Sequence, residues 1–203
     1  MPPRPEIDPT GTYHVGARRS YGQTLFETVG EHECFLHMYT RVSRKYKWIT
    51  PAWVLMGNHH HFVITLTEGG LSDGMRELHG GYSRWIHEMY GQTRKGHLFR
   101  HAFFARLIQD DDDLMTTCRY VDLNPSKHRP TAAPLKTDWC GYPATLGLEH
   151  PRSFHSPAVL LALFDPSPAV ARRKYRRFVE EEHARRRQVP SPNDVLEVVR
   201  SAP

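Results

Sequence analysis

Hydrophobic positions along this chain follow two rhythms, and the switches between them mark out the elements. After an irregular, proline-rich opening over residues 1–11, Thr12 to Arg18 predicts a first strand. From Glu31 to Tyr46 the apolar residues Phe35, Leu36, Met38, Tyr39 and Val42 come close to helical spacing and predict a helix. Trp48 to Met56 reads as a strand, and Gly57-Asn58 links it tightly to a strand-like run, HHHFVITLT, closed by Gly69-Gly70. Ser72 is placed to cap a second helix through Met75, Leu78, Trp85, Ile86 and Met89, in which Gly80-Gly81 predicts close packing or a kink. His97 to Ile108 mixes aromatic and β-branched residues and predicts a fourth strand. Asp110 to Asp113 then opens a helix that Asn124-Pro125 stops. Carboxylates there suit the helix dipole, which favours capping over an aspartate metal site.

The order is β-α-β-β-α-β followed by α, which predicts an α+β fold: a ferredoxin-like antiparallel sheet with helices on one face. The other face is then open to hold polar side chains. Composition changes at about Thr131, so residues 12–130 form the predicted catalytic domain and 131–203 a basic extension of loop and helix. In that extension Ala158 to Phe164 reads as a short apolar helix. Pro168 to Arg187 reads as a charged one, whose basic runs are either a solvated face or a contact for a polyanion.

Strand alternation gives the histidine run its chemistry. His59 and His61 project to one side as a two-imidazole clamp, while His60 points the other way with Phe62, Ile64 and Leu66. Further along, in RYVDLNP from Arg119 to Pro125, Tyr120 and Asn124 are four apart and share one face of a helix. Each has an ordinary reading too: Tyr120 as an amphipathic core residue, Asn124 as an amide completing a turn before Pro125.

Net charge narrows the partner. The 203 residues carry +5, with 14 histidines able to add positive charge in mild acid, so a polyanion is the natural ligand. Basic and aromatic residues are interleaved in Tyr82-Ser83-Arg84-Trp85 and from Phe99 to Arg106, where cations can hold phosphates and rings can stack unpaired bases. Arg106, Arg119 and Lys127 are further phosphate contacts on this reading, beside Tyr82 and Arg84. Three widely spaced cysteines, Cys34, Cys118 and Cys140, fit reduced thiols and neither a disulfide framework nor a CxxC zinc site. With no run approaching the ~20 apolar residues of a membrane helix, a soluble, cytoplasmic protein is expected.

The blocks PAWVLMGNH and CRYVDLNPSKH, with TYHVGARR, GYSRWIHEMYGQ and GHLFRHAFFARLI in the same order, resemble the HUH single-strand DNA transposases with one catalytic tyrosine. These are the IS200/IS605-like family and its REP-associated branch; the resemblance runs from about Tyr13 to Pro130. It implies Tyr120 as nucleophile and His59, His61 and Asn124 as ligands of Mg²⁺ or Mn²⁺. It also implies hairpin-bearing single-stranded DNA as substrate and a 5′-phosphotyrosine intermediate. Imidazole ligands tilt the metal preference toward Mn²⁺. Whether one chain or a homodimer acts is left open.

Two positions depart from the family pattern. Gly57 stands where a proline is common before Asn-His, and His60 fills a normally hydrophobic slot, where it must be neutral and hydrogen-bonded. His60 therefore keeps a second reading in play, a nucleic-acid-binding module of the same fold without catalysis. A zinc hydrolase using His59, His61 and a distant carboxylate is a third.

Overall fold

The structure is a computed structural model that describes residues 7–19, 24–91, 97–99, 102–125 and 139–188. Four strands, β1 (Thr12–Arg18), β2 (Ile49–Met56), β3 (His59–Thr65) and β4 (Phe104–Leu107), form one sheet in the order β2-β3-β1-β4. Every neighbouring pair is antiparallel. With α1 (Val29–Lys45) after β1 and α2 (Leu71–Tyr90) after β3, this is the expected ferredoxin-like arrangement.

Strand alternation sorts the side chains into two cores. Tyr13, Val15, Trp53, Leu55, Phe62 and Ile64 face α1 and α2, where Phe35, Leu36, Tyr39, Met75, Leu78 and Ile86 complete the first core. Tyr39 lies flat on Phe62, with ring centroids 4.0 Å apart. On the opposite face Ala52, Val54 and Val63 meet Leu114, Cys118 and Val121 of α3 (Asp111–Asp122). Beyond α4 (Tyr142–Thr145), helices α5 (Ala158–Ala162) and α6 (Pro168–Gln188) close this second core through Leu160, Leu161, Ala171, Tyr175 and Val179. The face opposite α1 and α2 is thus covered over β2 and part of β3.

Several boundaries move for local reasons. Helix α1 starts two residues before Glu31 because Thr28 caps it: its hydroxyl accepts from Glu31 N at 3.2 Å, while the Glu31 carboxylate accepts from Glu27 N at 2.7 Å. Ser72 is not the cap of α2. The helix begins at Leu71 after Gly70, whose φ of 78° only glycine adopts cheaply, and it runs unbroken through Gly80-Gly81. Strand β4 has four residues rather than the twelve of the expected span. Upstream of it Leu98 is buried and Phe99 stacks on His79 at 3.9 Å, so the apolar density there serves packing. Asp110 caps α3 by accepting from Asp113 N at 2.8 Å. The expected boundary at about residue 130 lies outside the described residues. No described helix is long and apolar enough to cross a membrane.

Candidate active site

Strand β3 delivers the imidazole pair as alternation requires. His59 is half-buried and His61 buried, with ring centroids 5.1 Å apart. His59 Nδ1 lies 2.6 Å from Asn58 Oδ1. A carbonyl oxygen only accepts, so Nδ1 carries the proton and, in the neutral ring, Nε2 carries the lone pair. His61 Nδ1 lies 3.0 Å from Nε2 of His14 on β1, and the two share one proton. His14 belongs to this site and its role was not read from the sequence. The β1–β3 register, which pairs Gly16 with His61, makes His14 the diagonal neighbour of His61 on the same face.

Helix α3 brings the tyrosine. The Tyr120 ring stands edge-on to His14 and to His61, at centroid distances of 5.6 Å and 5.8 Å. Asn124, 2% exposed, follows the last turn, and its amide nitrogen reaches the Tyr120 carbonyl at 3.4 Å. Tyr120 and Asn124 therefore keep their shared face, and both line a pocket of about 400 Å³ with His59, His61, Arg18 and Phe104. Packing between α3 and α6 fixes the helix behind them. Tyr175 donates to Asp122 at 2.5 Å, and burial pushes the Asp122 carboxyl up to about 7.

His60 points into the first core, as alternation predicts, and is 0% exposed among Phe35 and Phe62. Its Nε2 lies 3.0 Å from His79 Nε2, while its Nδ1 has no hydrogen-bond partner. Burial, reinforced by His79, His61 and His59, holds its pKa well below the ordinary imidazole range, and burial takes His79 to about 3. Both rings are neutral. The expectation of a neutral His60 is met, and that of full hydrogen bonding only by half. At the turn, the Gly57 carbonyl accepts from Leu25 N and Phe26 N at 2.5 and 3.0 Å, with no left-handed backbone at Gly57.

The residues expected to contact nucleic acid divide. Tyr82 is 0% exposed and its hydroxyl donates to the Leu25 carbonyl at 3.2 Å, so it is a core residue with no face for a base. Arg84 is exposed on α2, which covers the face of the sheet away from the pocket. Arg106 stands opposite His14 in the β1–β4 ladder, but its guanidinium is taken by Asp113 through bonds of 2.7 and 2.9 Å. That pairing draws the Asp113 carboxyl down to about 2. Arg119 lies 3.9 Å over the Phe178 ring, and Lys127 is outside the described residues. Arg18, beside His59 in the β1–β3 register, is the exposed cation that lines the pocket; among the described residues it makes no ion pair.

The family model described as "Transposase IS200 like" matches residues 9–124, more than half of the chain. The chain belongs to the IS200-like transposase family. A solved structure of a REP-associated tyrosine transposase bound to a REP hairpin matches with a TM-score of 0.63. The two share 17% sequence identity over 72% of this chain and 86% of that one, a likeness of fold. Among curated proteins none matches. The segment shared with IS200-like transposases ends at Asn124, so it contains His14, His59, His61 and Tyr120 and leaves α4, α5 and α6 outside.

Proposed function

We propose that this IS200-like transposase cuts and rejoins hairpin-flanked single-stranded DNA of the REP type through a covalent 5′-phosphotyrosine on Tyr120. The observation that carries this reading is the meeting of Tyr120, His59, His61 and Asn124 around one pocket of about 400 Å³ within a single chain. The phenol loses its proton and its oxygen attacks phosphorus in line with the bond to the 3′ oxygen. A tyrosine O–P bond forms, the P–O3′ bond breaks, and the departing oxygen takes up a proton. The phosphodiester count is unchanged, so a 3′-OH can reverse the attack and join a new strand without ATP.

The donor set suits a divalent cation, Mg²⁺ or Mn²⁺. The hydrogen bond from His59 Nδ1 to Asn58 puts the lone pair on Nε2, and the Asn124 amide nitrogen, turned to the Tyr120 carbonyl, leaves an oxygen donor on the same group. Asn124 completes this ligand set as the third protein donor on this reading, since it lines the same pocket as His59 and His61. Neutral ligands leave the ion its full charge, and when bound it would polarise the scissile phosphate as a Lewis acid. His59, His61 and Asn124 would hold that ion beside Tyr120.

The test incubates the full chain with Mn²⁺ and labelled hairpins built from palindromes beside its own gene. The expected product is a protein–DNA adduct that survives boiling in detergent and is absent with Tyr120→Phe. Hairpin binding without an adduct across such a panel would overturn cleavage and leave a binding module.

A further inference from the structure

Phe104 opens the edge strand β4, pairs in register with Gly16, and is 45% exposed. Single exposed apolar side chains are common on protein surfaces and mean little alone. This one lies in the wall of the pocket that contains Tyr120. Its ring is fixed rather than loose: it stands edge-on to His14 at 5.1 Å and to His61 at 5.8 Å, with interplanar angles of 88° and 60°. It also rests on Gly16, where a Cβ would come within 2.4 Å of Phe104 Cε1 and 2.8 Å of the His60 carbonyl oxygen. Gly16 thus makes room for the ring at the pocket.

Arg18 lines the same pocket from β1 and is exposed, with no carboxylate opposite it among the described residues. Arg106 and Arg119, by contrast, are held by Asp113 and Phe178. A rigid, half-exposed aromatic beside an uncommitted guanidinium is the pairing that single strands need, a flat surface for a base and a cation for the backbone.

We infer that Phe104 and Arg18 form the subsite for a nucleotide adjoining the scissile phosphate, Phe104 stacking its unpaired base and Arg18 holding a backbone phosphate. The inference rests on the single-stranded DNA reading above, and it adds a contact that is tolerant of base identity. It also explains why an aromatic on an edge strand is left half-exposed beside a nucleophile.

The test uses full-length protein carrying Tyr120→Phe and hairpins with 2-aminopurine walked through the single-stranded tail. One tail position is expected to be quenched. Phe104→Ala should abolish that quenching and weaken binding about tenfold to a hundredfold. Phe104→Trp should retain both, and an abasic site at that position should erase the difference between Phe104 and Phe104→Ala. Arg18→Gln should lower the slope of log affinity against log salt by about 0.7, one phosphate contact on a single strand. Unchanged quenching at every position in Phe104→Ala, or an equal loss on the abasic hairpin, would overturn the subsite. Quenching by Phe104 in a protein whose Tyr120 form yields no adduct would instead overturn cleavage and leave the subsite standing.

Discussion

His14 owes its part in the site to strand register. Its Nε2 sits 3.0 Å from His61 Nδ1; on the proposed function the shared proton rests on His61 Nδ1 with His14 as acceptor, which frees His61 Nε2 to ligate the ion. Partners of this kind orient metal ligands. His14→Ala is therefore expected to weaken Mn²⁺ binding to the free protein by about tenfold to a hundredfold, measured by titration calorimetry. Unaltered affinity would remove His14 from the site. The sequence made the TYHV block legible as a strand. Which of its residues meets His61 depends on pairing between segments 47 residues apart, and no local spacing encodes that. His60 was the reverse case, since alternation alone sent it into the core. Its partner His79 carries a prediction of pH dependence. Burial lowers the His79 pKa to about 3 in the folded chain, against 6.5 for an exposed imidazole. Between those values the unfolded chain binds a proton that the folded chain refuses, so this contribution to stability is whole above pH 6.5 and is lost as the pH falls toward 3. Urea midpoints should drop from pH 7 to pH 5, and the drop should shrink in a His60→Leu, His79→Leu variant. An equal drop in that variant would assign the acid sensitivity elsewhere.

At the scale of elements, legibility followed how local each cause was. Helix α3 was readable because its cap and its stop are written in adjacent residues, Asp110 and Asn124-Pro125. Strand β4 was overread because Leu98 and Phe99 look like strand residues while serving the first core. Helix α6 was ambiguous because its charges hide a buried stripe, Ala171, Tyr175 and Val179, spaced four apart. Its cations answer the question left by composition. Arg176 pairs with Glu180, Arg177 with Glu181, Lys174 with Asp165, and both Arg185 and Arg186 with Glu182. The exposed pairs, Arg176 with Glu180 and Arg177 with Glu181, contribute at most about 1 kcal/mol each, but together with the others they balance much of the charge that a polyanion would seek. The role of α6 in the site is therefore mechanical: Tyr175 on Asp122 and Phe178 under Arg119 grip α3 on either side of Tyr120.

Across the whole molecule the sheet divides the work between its faces, and the division crosses the boundary of the family match. The face toward α1 and α2 is closed mainly by residues within 9–124, with Phe154 packed on Tyr39 and Trp53 from beyond it. The other face presents His59 and His61 to the pocket, with His14 behind His61, yet among the described residues its apolar part, Ala52, Val54 and Val63 with Leu114, Cys118 and Val121, is covered from beyond the family match by Cys140, Tyr142, α5 and α6. A chain cut after residue 130 would keep every residue of the candidate site and uncover one side of α3. Each large apolar side chain then left in water forfeits about 1.5–3 kcal/mol, so a few such residues rival the whole stability of an ordinary domain. Residues 1–130 alone are accordingly expected to aggregate, or to bind 8-anilinonaphthalene-1-sulfonate and unfold without a cooperative transition, where the full chain unfolds cooperatively. A truncated chain that melts at the full-length midpoint would make 12–130 an independent domain and the extension an accessory. The expected result joins α5 and α6 to the folding unit of the catalytic domain, and with them the grip that keeps Tyr120 against His61.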